Sequence, residues 1–176
     1  MSRDRVMQAV QSGDLGALDA LLSQDSEWAR GTPNAGWLAA QSGRADVLQV
    51  IGRHHPSSLV ELSNGLTPAT AAALAGHAGV LRALAALAPE SLETFDQTGQ
   101  APVHHAVAAG HVAVLAVIAE HAPHALDMPS ATGMTPMDVA WNLGHEQCVE
   151  LLIEQGIESV ADKWDCACVP GESCEP

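Results

Sequence analysis

The sequence predicts an all-α solenoid of stacked helix-turn-helix units joined by short hairpin loops. Three observations predict it. Glycine recurs at Gly13, Gly43, Gly76, Gly110 and Gly144, spaced by 30, 33, 34 and 34 residues, each after a short Ala-rich segment. Upstream, in phase, stand Gly65-Leu66-Thr67-Pro68, Gly99-Gln100-Ala101-Pro102 and Gly133-Met134-Thr135-Pro136. Downstream, also in phase, stand Pro56-x-x-Leu59, Pro89-x-x-Leu92 and Pro123-x-x-Leu126. Landmarks that recur in phase mark a repeat in which each unit buries its apolar face against the next.

Each element follows from its residues. In Thr-Pro, the Thr oxygen caps free amides and Pro at the first helical position loses no hydrogen bond, so a helix starts there. The Ala pairs beyond it (Ala39-Ala40, Ala72-Ala73, Ala108-Ala109) let helices approach closely. Glycine then ends this first helix in the left-handed conformation. The second helix carries an apolar stripe at i, i+3, i+4 spacing, as in Val80-Leu81-x-x-Leu84-x-x-Leu87 and Val149-x-Leu151-Leu152-Ile153. Proline stops it. The expected helices are 3–11 and 15–23, 35–42 and 46–55, 69–75 and 79–88, 103–109 and 113–122, then 137–143 and 147–155. The units run over about 1–31, 32–63, 64–97, 98–131 and 132–156. The first lacks Thr-Pro and starts directly on a helix, as a terminal cap would. The second reads Asn34-Ala35-Gly36-Trp37 at its helix start, where the later units carry Thr-Pro.

The text resembles the ankyrin-repeat family over residues 3–156, most closely in the fifth unit, Gly133-Met134-Thr135-Pro136-Met137-Asp138-Val139-Ala140 through Gly144-His145 to Leu151-Leu152. The resemblance implies a helix-turn-helix unit of about 33 residues with a protruding hairpin. It also implies a scaffold that holds another protein on hairpin tips and on the inner faces of the first helices. Here the tips fall near Ser63-Asn64, Gln97-Thr98 and Ala131-Thr132, and Gln41, Leu74, Ala108 and Asn142 line the helical face. The resemblance further gives His77, His111, His145 and His104 structural roles, hydrogen-bonded to backbone and neighbouring loops. Trp37 then has to pack where a histidine usually sits.

The charge is uneven. Residues 1–82 carry seven acids and six Arg; residues 83–176 carry fourteen acids and Lys163 alone, for a net charge of −14 over the chain. Such a field repels nucleic acid and anionic lipid and steers cationic partners inward. Val112 to Ala119, the longest apolar stretch, is too short to span a bilayer, and no long apolar run comes after Met1-Ser2-Arg3-Asp4-Arg5. A monomer in the cytoplasm is expected, and abundant Ala with one Lys points to a GC-rich bacterial genome.

Little carries chemistry. His121 and His124 are separated by Pro123, which breaks the helix between them, and His54 and His121 lie two units apart, too far to share an ion. There is no nucleophile–base order, phosphate loop or His-Glu-x-x-His, and the carboxylates sit at solvent-facing helix positions. Neither an enzyme nor a cofactor is expected. After Gly156 the helical pattern stops, and residues 157–176 form an acidic tail with Cys166, Cys168 and Cys174. A Cys-x-Cys pair presents two soft thiolates to one metal. The competing reading is therefore a carrier whose tail binds metal or is the substrate of a modifying enzyme, with the array as recognition handle. The plain reading leaves the tail unstructured, with Trp164 packed on the last helix pair.

Overall fold

The computed structural model describes residues 2–25 and 34–157. They form five antiparallel helix pairs: α1 (Ser2–Ser12) with α2 (Leu15–Gln24), α3 (Ala35–Gln41) with α4 (Ala45–His54), α5 (Pro68–Ala75) with α6 (Ala78–Leu87), α7 (Pro102–Ala108) with α8 (Val112–His121), and α9 (Pro136–Leu143) with α10 (Glu146–Glu154). The first helices pack in one row, α1 to α3 to α5 to α7 to α9, and the second helices in another, α2 to α4 to α6 to α8 to α10. The fold is the all-α repeat solenoid expected. Among the described residues the only β pairing is the isolated antiparallel bridge between Ser63 and Leu66. No described helix is long and apolar enough to cross a membrane.

Local chemistry sets the helix starts. Thr67 Oγ1 accepts from Thr70 N at 3.1 Å, and Pro68 takes the first helical position of α5. Thr135 and Asp138 cap α9 reciprocally: Asp138 N donates to Thr135 Oγ1 at 3.2 Å and Thr135 N to Asp138 Oδ2 at 2.9 Å. In the second unit Asn34 does this work, its Oδ1 accepting from Trp37 N at 2.6 Å, so α3 starts without Thr-Pro. Gly76 (φ 76°) and Gly144 (φ 71°) end α5 and α9 in the left-handed region, where a Cβ would be strained.

The second helices are displaced from expectation by one residue at each end. α4, α6, α8 and α10 begin directly after Arg44, His77, His111 and His145, which serve as their N-caps. α4, α6 and α8 end one residue early because His55, Ala88 and Ala122 precede proline and are forced out of helical geometry, with φ of −145°, −151° and −141°. The short turns Pro56–Leu59, Pro89–Leu92 and Pro123–Asp127 come next in the chain.

The core runs the length of the array. Leu48, Ile51, Leu81, Leu84, Leu115, Ile118 and Leu152 of the second helices are fully buried, as are Leu59 and Leu92 of the turns, with Leu126 all but buried. Small residues of the first helices (Ala39, Ala40, Ala72, Ala73, Ala106, Ala140) fill the seam between the rows. Each buried Leu or Ile contributes about 1.5–3 kcal/mol of transfer free energy.

Candidate functional site

The nine residues expected to meet a partner, Gln41, Asn64, Leu74, Gln97, Thr98, Ala108, Ala131, Thr132 and Asn142, are all exposed. None is charged. Ser63, expected at a hairpin tip, is buried instead, because its Oγ accepts from Asn34 N at 3.0 Å. The tip is Asn64-Gly65, with Asn64 itself at φ 56°.

Two ladders hold this row in place. Arg44 Nη2 donates to Gln11 O at 3.0 Å, His77 Nε2 to Gln41 O at 3.2 Å, His111 Nε2 to Leu74 O at 3.2 Å, and His145 Nε2 to Ala108 O at 3.1 Å. Because a carbonyl only accepts, each imidazole carries its proton on Nε2. Glycine is required beneath these rings: a Cβ on Gly43 would meet the His77 ring at 2.9 Å, and one on Gly76 the His111 ring at 3.0 Å. Arg44 replaces histidine in the second unit, a substitution that sequence reading passed over. The other ladder joins the hairpins, Gln97 N to Gly65 O at 2.9 Å and Ala131 N to Gly99 O at 2.8 Å. Three of the lining residues (Gln41, Leu74, Ala108) thus have their own carbonyls tied to the next unit.

His104 is buried at the base of the fourth unit. Its helix start has Ala101 where a capping side chain would stand, and His104 Nδ1 accepts from Ala101 N at 3.2 Å instead. Nε2 therefore carries the proton and donates to Met134 O at 3.2 Å. Burial pushes the ring's pKa below the ordinary value, and the neighbouring His105 adds to this against the opposing bonds with Met134 and Ala101.

One carboxylate departs from the solvent-facing expectation. Asp96 is buried in the hairpin, not exposed on a helix. Its Oδ1 accepts from Thr98 N at 2.8 Å, Thr98 Oγ1 at 2.6 Å and Gln100 N at 3.1 Å, and its Oδ2 meets His105 Nε2 at 2.7 Å. Burial pulls its carboxyl pKa up, but these bonds outweigh it and the net shift is downward. The spacing Asp96-x-x-Gly99 signals this turn, since an Asp side chain accepting from the amides just beyond it is a turn former. The His105 partner had no such signal.

The remaining histidines do not converge. His54 Nε2 pairs with Asp19 Oδ1 at 2.8 Å, His121 lies 3.9 Å from Glu120, and His124 is exposed. Among the described residues no group of three His, Cys, Asp or Glu is placed to hold a metal ion. Trp37 is buried in the second unit, and its Nε1 has no hydrogen-bond partner among the described residues. Cys148 is buried, which pushes its thiol pKa up. Cys166, Cys168, Cys174 and Trp164 lie outside the described residues.

The family model for ankyrin repeats (3 copies) matches residues 6–122 and 87–163. No curated protein matches the chain.

Proposed function

The chain belongs to the ankyrin-repeat family, whose arrays generally mediate protein–protein interaction, and on that premise we propose that it is a scaffold holding a partner protein on the row formed by Gln41, Asn64, Leu74, Gln97, Thr98, Ala108, Ala131, Thr132 and Asn142. The observation that carries this reading is the pair of ladders behind the row. Backbone pinned from unit to unit loses little freedom on binding, so more of the contact energy remains as affinity. The row offers amides, hydroxyls and one large apolar side chain, Leu74 at 42 % exposure. It recognises its partner by hydrogen bonding and apolar contact, not by charge pairing at the centre. The flanking field differs: residues 83–157 contain no Lys or Arg and nine acids, which draws a basic protein toward the array.

Affinity capture from the native host tests this. The wild-type chain is compared with Leu74→Glu/Thr98→Glu on the row and with Gln49→Glu/Arg53→Glu on the exposed side of α4. A partner held by wild type and by the α4 variant, and reduced at least about tenfold by the row variant, is the expected result. A partner retained equally by all three overturns the reading.

A further inference from the structure

Every internal unit is closed by its successor at the hairpin and on the first helix. At the hairpins, Gly65 O receives Gln97 N and Gly99 O receives Ala131 N, and a Cβ on Gly99 would collide with the Ala131 side chain. On the first helices, Ala40, Ala73 and Val107 share one register and are fully buried. The fifth unit breaks both patterns. Among the described residues nothing lies within 4 Å of where a Cβ on Gly133 would stand. Trp141, in the register of Val107, is 57 % exposed, with Leu143 at 54 % and Met134 at 36 % beside it in the same unit. This is an unpartnered helix and hairpin face.

The chain beyond α10 has the phase to cover it. Ile157 is half-buried against the core, its N–H on Leu152 O at 3.0 Å, so the backbone leaves the last helix turned inward. Ile157 stands 34 residues after Pro123, and Val160 stands 34 after Leu126, whose register mates Leu59 and Leu92 are also buried. Asp165 stands 34 after Ala131, the residue that donates to Gly99 O. Pro170 stands 34 after Pro136, the first residue of α9, and Cys174 stands 34 after the fully buried Ala140. Glu158 and Asp165 fall on the registers of the exposed His124 and Ala131. The helical stripe does stop at Gly156, but the hairpin phase continues through the tail. The first half of a unit, Pro123 to Leu143, takes 21 residues, and 19 remain after Ile157.

We propose that residues 158–176 dock on the open face of the fifth unit as the first half of a sixth, covering Trp141 and Gly133. The three tail thiols then differ. Cys166 and Cys168 take the registers of the exposed Thr132 and Met134, extending the hairpin row by one tip, whereas Cys174 takes the interior register of Ala140. The inference stands apart from the partner reading above, since it concerns only how the array is closed.

Pulsed alkylation of the full chain under reducing conditions, read by peptide mass mapping, tests it. Cys166 and Cys168 should react fast, and Cys174 at least about tenfold more slowly, as a thiol exposed only by local opening. Val160→Asp should bring Cys174 up to the rate of Cys166, while Cys148 stays protected and reports an intact array. Equal rates at all three tail thiols of the wild type overturn the proposal. So does protection of Cys174 that survives Val160→Asp, or protection that grows with protein concentration, which would assign the face to a second copy.

Discussion

The fourth and fifth units are built from nearly the same text and stand in different surroundings. In the fourth, Val103, Val107, Leu115 and Ile118 are fully buried, because α9 and α10 cover it on one side and α5 and α6 on the other. In the fifth, the register mates Met137, Trp141, Val149 and Leu152 are 1 %, 57 %, 8 % and 0 % exposed. Only the side facing the fourth unit is closed by described residues. The difference teaches that in a repeat array burial belongs to the interface and not to the residue type. A tryptophan lies open where an alanine two units earlier is sealed.

The largest expected effect sharpens this contrast. Leu152→Ala and Ile118→Ala should each cost roughly 2–5 kcal/mol, the range for a buried aliphatic truncated in a packed core. Leu152→Ala should loosen the C-terminal helix pair ahead of the rest, whereas Ile118→Ala, covered on both sides, should lower the whole array. Segment-resolved hydrogen exchange distinguishes them. Uniform loss of protection in the Leu152 variant would break the nearest-neighbour picture.

His104→Ala comes next, at about 1–3 kcal/mol by urea unfolding, because Ala101 N–H and Met134 O both lose their buried partner. In the fifth unit the same register holds Asp138, a half-exposed capping residue, and Asp138→Ala should cost about 0.5–2 kcal/mol. A reversed order would mean that solvent already reaches His104.

Glycine substitutions give a finer comparison. Gly110 and Gly144 sit at φ 69° and 71°, so alanine at either costs about 1–2 kcal/mol of backbone strain. Only Gly110 lies under a ring, with a Cβ there meeting His145 at 3.2 Å, while at Gly144 no described residue comes within 4 Å. Gly110→Ala should therefore lower the unfolding midpoint more than Gly144→Ala in paired thermal scans. Equal shifts would show the imidazole moves aside without loss.

The smallest effect concerns pH. His104 is held below its ordinary pKa in the fold, chiefly by burial, so the unfolded chain binds the proton more readily. Its contribution is whole above about pH 6.5 and is lost as pH falls from there toward the depressed value. Asp96 is also depressed, and its share is lost only at lower pH, below the ordinary carboxylate range near about 4. Urea midpoints measured from about pH 8 down to about 5.5, a span that brackets the ordinary histidine range, should decline for wild type and decline less for His104→Ala. Parallel slopes would remove His104 as the source.

What the sequence made legible was whatever is decided within one unit. Thr67-Pro68 and Thr135-Pro136 announce helix starts because cap and first turn are adjacent in the chain, and Gly76 and Gly144 announce stops for the same reason. The buried stripes of α6 and α10 come from their spacing alone. Contacts between units were harder to read. Arg44 reaching Gln11 in place of a histidine, and His105 turning back to Asp96, depend on which side chains face each other across a seam. The exposure of Trp141 depends on whether a further layer stacks against α9. The one-residue displacement of the second helices came from a local rule applied too loosely, since proline acts on its predecessor as well as on itself. The partner row was legible as positions, and its exposure agrees with them; its partner is written in no residue.

The ladder of imidazoles and glycines also bears on how such a gene can change length. Each histidine rung joins a residue of one unit to a carbonyl of the unit before, 36 or 37 residues earlier, whatever the unit's number in the series. A duplication or loss of one whole block, begun at any phase, rejoins a histidine to a waiting glycine and leaves every rung filled. A block off by a few residues strands a ring over the wrong backbone unless a hairpin absorbs the difference, as the 30-residue interval between Gly13 and Gly43 must. Recombination is thereby held to one step size, and the array can grow or shrink in whole units without the intermediate lengths having to fold.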